Sequence, residues 1–483
     1  MDTIAKTTAA ALGQRTTSAS WVDVEVRSCA LADARLEARL KGLLSRQAER
    51  PGASLPMVCQ DWAHAKAVYR FLDNARVTDA QILAGHFAAT AERVAACAGP
   101  VLVLHDTTEF SFERSEPRAI GILCKQHQRG AYVDGRPQQR TVCGLKMHSS
   151  LVVTPEGLPL GLAAVKFFTR SRFHGAKALK RTINPTRVPI ETKESYRWLQ
   201  NVRESTERLA VPQRCVHVGD RESDICELFC TALAAGTHFL LRTCVDRLAV
   251  DGRTTVCREM AVKRCKGLHR IELPAQRGGA PAATAQLELR YARLRVLPPI
   301  GKQARYPALD LTVLHATERG TPPTGRAPIE WKLVTDLPVR MLEWYAMRWR
   351  IETFHKILKS CCHAEDSKLR TATRLANFLA ILCVVGWRIF WLTMINRAAP
   401  GAPATLAFMP SEIALLGRLR SSAAAPTSGA PALAACITQL ACLGGYLARS
   451  RDPPPGNLVI WRGMTRLLDI ELGYTLGVRD LGK

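Results

Sequence analysis

Tyr345, Arg348, Glu352, Lys356 and Lys359 lie close together in the stretch YAMRWRIETFHKILK. They supply a phenol, one carboxylate and three cations. A carboxylate among cations suits a metal ion held beside a polyanion. Helical spacing of about 100° per residue places all five within a roughly 80° arc. Met347, Ile351, Phe354 and Leu358 fall about 130° away and form the side that packs on a core. The same pattern also describes a solvated stripe in which Arg348 and Glu352 pair at i, i+4.

The order Tyr, two residues, Arg, three residues, Glu, six residues, Lys resembles the Y-R-E-K signature of the insertion-sequence-four transposases. RWRIETFHKILK is similar to that group's strongest block. The resemblance implies an α/β chain with an RNase H-like catalytic core interrupted by a β-rich insertion. A helical N-terminal DNA-binding region and a helical C-terminal dimerisation region complete it. Three metal-binding carboxylates are implied, Glu352 being the third, so two Asp on strands must come from elsewhere in the chain.

Val101 to Leu104 is apolar and leads into His105, Asp106, Thr107 and Thr108. This is the pattern of a buried strand ending in an acid. Chemistry in parallel sheets gathers at strand ends, though a lone Asp there also forms turns. By resemblance Asp106 is the first catalytic Asp, supported by Thr107 and Thr108. RCVHVGDRESD, Arg214 to Asp224, repeats the pattern with a helix expected from about Ser223. Its D-R-E resembles the family block that carries the second carboxylate, Asp220. Arg221 and Glu222 then support it, and Asp224 is a helix-capping acid.

The elements around these acids follow from pattern. Strands are expected over Lys146 to Thr154 and Leu158 to Phe168, joined at Pro155-Glu156-Gly157, with a helix over Glu191 to Leu209. HFLLRT, His238 to Thr243, reads as a further strand, and its Arg242 matches a family Arg that touches DNA. From about Val245 to Asp336 strands alternate with Gly/Pro turns, including Gln286 to Val296, Leu309 to His315 and Ile329 to Thr335. A flexible loop is expected near Gln276. Trp331 occupies the place of a family Trp that holds a flipped base; a core Trp in a strand reads the same way. The chain from Trp331 to Tyr345 is several residues shorter than the family leads one to expect, so the signature helix should start late.

The N-terminal region reads as short basic helices. Leu36, Leu40, Leu43 and Leu44 form an apolar stripe among Arg35, Arg39, Lys41, Arg46 and Arg50, ended by Pro51-Gly52. A second helix, Trp62 to Leu72, carries Lys66 and Arg70, and a third starts after Thr78. WVDVEVRSCALADARLEARL and AHAKAVYRFLDNARV resemble the family's DNA-binding region. A basic stretch from Lys166 to Arg187 is a further candidate for the DNA backbone. The implied organisation is 1–80 for DNA binding, 81–397 for the catalytic domain with its insertion at about 245–336, and 398–483 for dimerisation.

Composition agrees with this class. The 483 residues are 47% hydrophobic, which makes a globular chain with a sizeable core. Lys and Arg number 67 against 42 acids, a formal charge of +25. That excess favours nucleic acid first and an acidic membrane surface second. No apolar signal core opens the sequence, so a cytoplasmic location is expected. The most apolar run, Leu375 to Ile395, contains Asn377 and Arg388 and reads as a buried helix, not a membrane span. The 16 cysteines lack structural-zinc spacing and read as free thiols in a reducing compartment.

The resemblance then gives a reaction. Asp106, Asp220 and Glu352 would hold two Mg²⁺ or Mn²⁺ ions for in-line attack on phosphodiesters. Arg348, Lys356 and Lys359 would bind phosphates and Tyr345 a phosphate near the flipped base. The partners would be duplex DNA, as terminal inverted repeats and target, and a second copy of the chain, with no membrane. A decayed copy that only binds DNA, or a nuclease that cuts without joining, would share most of these features.

Overall fold

Capping residues set the first helices. The computed structural model describes residues 20–114, 116–133, 136–170, 188–273, 283–322, 326–338, 342–419 and 432–481. Helix α1 (Trp21–Val26) starts at a Ser20 capping box. Helix α2 (Ala34–Glu49) starts on Asp33, whose side chain accepts from Leu36 N at 3.0 Å. Its stripe of Leu36, Leu40, Leu43 and Leu44 is buried, as the helical period requires. Helix α3 (Leu55–Cys59) ends at Gln60 in the left-handed region, φ 65°. Asp61 then caps α4 (Trp62–Leu72) by accepting from His64 N at 2.8 Å. Thr78 and Gln81 form a capping box at the start of α5 (Asp79–Ala96).

The chain divides into two compact units. The first comprises residues 1–99, 107–173 and 350–483, and the second 100–106 and 174–349. The chain therefore passes between units four times, at 99/100, 106/107, 173/174 and 349/350.

In the first unit, strand β3 (Arg136–Val153) pairs antiparallel with β2 (Ile122–Val133) and β4 (Pro159–Phe168). The later part of β1 (Val101–Phe112) lies along β3. Thr107 Oγ1 is 2.9 Å from His148 Nδ1, and Cys143 Sγ donates to Phe112 O at 2.9 Å. These two contacts run in opposite directions, so the strands are antiparallel. The turn expected at Pro155-Glu156-Gly157 closes as Gly157 N donates to Thr154 O at 2.8 Å, with Gly157 at φ 88°. A Cβ at Gly161, φ 146°, would sit 2.0 Å from Thr90 Oγ1, so β4 approaches α5 only through glycine.

Helix α11 (Ala372–Ala398) is long and apolar enough to cross a membrane, but its apolar window is wholly buried inside the protein. Its two interrupting polar residues are used internally. Asn377 Nδ2 donates to Leu72 O and Val77 O, both at 3.1 Å. The Arg388 guanidinium lies 5.3 and 4.7 Å from the rings of Trp21 and Trp391 and donates to Ala407 O. Three more helices follow it, α12 (Pro410–Leu419), α13 (Leu433–Leu443) and α14 (Asn457–Leu481).

In the second unit, β5 (Cys215–Gly219) pairs parallel with the start of β1, and β6 (His238–Arg242) pairs parallel with β5. Parallel neighbours need crossovers. Helices α6 (Tyr196–Leu209) and α7 (Cys226–Ala234) supply them, packing Trp198, Leu199, Val202 and Phe229 with Phe239 and Leu241. Beyond β6 the sheet turns antiparallel: β12 (Glu330–Thr335), β11 (Leu309–Glu318) and β10 (Ala283–Val296), in that order. The small strands β7 (Leu248–Ala249) and β9 (Gly267–Leu273) add to β10, and β8 (Thr254–Thr255) pairs β7. Helix α8 (Val256–Ala261) lies among them in sequence. The β-rich character expected for 245–336 is thus present. The protein is mixed α/β, with a large mixed sheet and helical N- and C-terminal regions.

Candidate functional site

Asp106 and Asp220 are matched by strand register. Leu104 on β1 pairs with Val218 on β5, and each Asp lies two residues further along its own chain. Side chains alternate along a strand, so Asp106 on β1 takes the face opposite His105. The histidines are internal: His105 Nε2 lies 2.8 Å from His217 Nδ1, and His217 Nε2 lies 2.9 Å from Thr206 Oγ1 on α6. Burial, and then His105 and His238, push the His217 pKa well below its ordinary value, so His217 is neutral and the two rings form an internal strut. Asp106 and Asp220 are half-buried.

The strand environment of Asp106 differs from expectation. β1 does not end there but continues to Phe112. It is β5 that ends, at Gly219, so Asp106 stands where its neighbouring strand leaves the sheet. Asp220 caps the short turn that follows and accepts from Glu222 N at 2.9 Å. Asp224 is not the cap of α7: Ile225 is, and Asp224 instead accepts from Cys244 N and Val245 N and pairs with Arg247. Arg221 and Glu222 are exposed, and Glu222 receives Arg197 at 2.8 Å.

A second cluster lies in the same unit. Arg242 pairs in register with Leu333 and donates to Glu330 O at 2.8 Å. Trp331 is half-buried, its ring edge-on to Tyr345 with centroids 5.4 Å apart. Tyr345 is only 3% exposed. Burial pushes its phenol pKa up and Asp220 acts the same way, while Arg348 and Arg242 oppose them. Asp220, Arg242, Trp331, Tyr345 and Arg348 therefore form one electrostatic neighbourhood. Arg348 is itself buried, with its guanidinium 4.9 Å from the ring of Trp349, which is 58% exposed.

The signature stretch is not one helix. Helix α9 (Leu342–Ala346) ends where Met347 N donates to Trp344 O and Arg348 N to Tyr345 O, both at 3.1 Å. Helix α10 (Trp349–Ser360) then begins. Those two tight turns break the 100° phase, so the arc drawn from Tyr345 and Arg348 to Glu352 does not carry across. Within α10 the phase holds. Ile351, Phe354 and Leu358 are buried, while Glu352 and Lys359 are half-buried and Lys356 is exposed. His355 Nε2 lies 2.9 Å from Ser149 Oγ, fixing α10 to β3. Burial pushes His355 down to about 3, so it is neutral. Lys359 Nζ lies 5.7 Å from the Phe110 ring centroid.

Asp106 and Asp220 thus belong to one unit and Glu352 to the other. Among the described residues, no three side chains of His, Cys, Asp or Glu gather as a ligand set for one ion. The connection at 339–341, the basic stretch at 171–187 and the loop at 274–282 lie outside the described residues. Sequence reasoning passed over the His105–His217 pair, although a His interrupting each apolar strand was its signal.

A family model described as transposase DNA-binding matches residues 18–77, the segment of α1 to α4. DNA is the partner this match supports. Duplex binding by the protein should therefore fall steeply with salt, by about a thousandfold between about 50 and about 200 mM, because each neutralised phosphate releases counterion. A gel-shift series with a flat salt response would contradict this.

Proposed function

We propose that the chain is a metal-dependent DNA transposase of the insertion-sequence-four kind, with Asp106, Asp220 and Glu352 as its acids. The carrying observation is that Asp106 on β1 and Asp220, just past the end of the adjacent parallel strand β5, each follow by two residues the paired Leu104 and Val218. Support for an RNase H-like core comes from the second unit, where the start of β1, β5 and β6 are parallel neighbours joined through α6 and α7. The functional division would be 1–80, 81–397 and 398–483, with two copies acting on two ends.

The two strand carboxylates are hard oxygen donors and fit Mg²⁺ or Mn²⁺; Glu352 would complete the set. When bound, such ions activate an attacking hydroxyl and stabilise the leaving oxygen. The chain's own residues bind and orient the substrate. Lys356 and Lys359 stand on the same side of α10 as Glu352 and would take phosphates as point charges. Arg348 and Arg242 can grip phosphate oxygens in a fork. Trp331 and Tyr345 cover one another here, so contact with a flipped base requires that pair to separate.

A second reading, a protein that binds DNA without cutting it, is favoured by the break at Met347–Arg348. One assay separates the two. Duplexes bearing the inverted repeats that flank the gene are incubated with the protein and Mg²⁺, Mn²⁺ or a chelator. The transposase reading expects metal-dependent end cleavage and joining to a target. Binding without cleavage in any metal would establish the second reading, and cleavage without joining would indicate a nuclease.

A further inference from the structure

The exposed face of α4 is the least explained surface of the matched segment. Trp62, its first residue, is 74% exposed, and Met57 at 61% and Tyr69 at 38% lie close to it in sequence. A large apolar side chain held in water at a helix start has no role in the core. Trp62, Lys66 and Tyr69 recur at i, i+4 and i+7 and so share one face, while Val68, Phe71 and Leu72 take the buried one. Lys66 Nζ sits 4.4 Å over the indole, which orients the ring.

The charge of this face selects its occupant. The two acids flanking α4 are already engaged: Asp61 caps the helix and pairs with His64, and Asp73 receives Arg374 at 2.7 Å. Lys66 and Arg70 remain exposed, and Arg39, Arg46 and His64 line the groove between α2 and α4. A polyanion fits such a surface and an apolar protein partner does not. The approach is also suitable in shape. α3 and α4 are joined by two residues, left-handed Gln60 and the cap Asp61, and exposed Trp62 is the first residue of α4. Helices that read DNA do so with their N-terminal residues in the major groove.

Resting on the transposase reading, we propose that α4 enters the major groove of the element's ends and that Trp62 is a specificity residue. Its indole makes apolar contact with base edges, a thymine methyl being the complementary group. Lys66 holds the ring and Arg70 contacts the flanking backbone.

The test uses the full chain and two probes, a duplex of the gene-flanking inverted repeat and a scrambled duplex of equal length. Trp62→Ala should weaken binding to the repeat about tenfold or more and change the scrambled duplex about twofold at most. Trp62→Phe should restore most of the loss. Deoxyuridine replacing thymine, one position at a time, should cost the wild type about fourfold at one site and cost Trp62→Ala nothing there. Trp62→Ala that still discriminates as the wild type does overturns this assignment alone. Equal loss on both duplexes with a shift in oligomeric state assigns the face to a second copy and also overturns it. A wild type that holds both duplexes equally removes the transposase reading and this inference with it. Because Trp62 lies in water, the variant should keep the wild-type thermal midpoint.

Discussion

Asp106→Ala and Asp220→Ala proteins are expected to bind end-bearing duplexes as the wild type does and to cut them at least about a thousandfold more slowly. The separation of binding from cutting is the informative part. Both acids lie beyond the matched DNA-binding segment, at 18–77. Each is half-buried. Asp220 also caps a turn, so Asp220→Asn, which preserves an acceptor for Glu222 N, is the stricter variant. It should be as inactive as the alanine protein while keeping wild-type stability. Glu352→Ala tests the third acid in the same assay. Full cleavage by any of the three, or cleavage that survives chelation, would reject the catalytic assignment.

Glu25→Ala should destabilise the protein by about 3–5 kcal/mol, because it strands a buried cation. Glu25 is fully buried and accepts from Arg93 Nη1 at 2.7 Å and from His86 Nδ1. The other nitrogen of His86 accepts from Leu162 N at 3.0 Å, and Arg93 Nε donates to Leu160 O at 2.6 Å. Burial lowers the His86 pKa and keeps the ring neutral, as an acceptor nitrogen requires. These hydrogen bonds tie α1, within the DNA-binding match, to α5 and β4. Gly85 permits the approach, since a Cβ there would lie 2.3 Å from Glu25 O.

The pH dependence of this network has a definite sign. Burial would raise the Glu25 pKa, but Arg93 and His86 outweigh it and hold the carboxyl at about 2. A folded value below the unfolded one means stability that is present above the unfolded pKa and lost as pH falls toward the folded value. The gap in urea midpoint between wild type and Glu25→Gln should therefore be widest near neutral pH and narrow from about pH 4.5 down to about pH 2. A gap unchanged at low pH would show that Glu25 is not ionised in the fold. A Glu25→Gln/Arg93→Gln double variant should cost less than the sum of its singles.

Local rules made much of this chain legible. Helix α4 runs from Trp62 to Leu72, as its capping and period indicate, and α5 follows Thr78. The strands near 146–168 and 286–335 stand close to where alternation places them. Asn377 and Arg388 marked α11 as a buried protein helix, since such groups need partners that lipid does not offer. These features depend on neighbours within a few residues, so one sequence suffices.

What local rules could not supply was set by distant partners. Asp106 stands mid-strand because β1 runs on along β3, a fact carried by Cys143 and His148. The Glu25–His86–Arg93 tie depends on residues about 60 positions apart meeting at a glycine. The signature stretch, continuous by periodicity, breaks at Met347 and Arg348. The sequence by itself determined a basic α/β chain with acids on strands and an N-terminal region suited to DNA. Only the tertiary structure decided which acids share a register, which face of α4 meets water and where the signature helix divides. Each of these depends on contacts between segments far apart in the chain, and helix or strand periodicity carries no information about them.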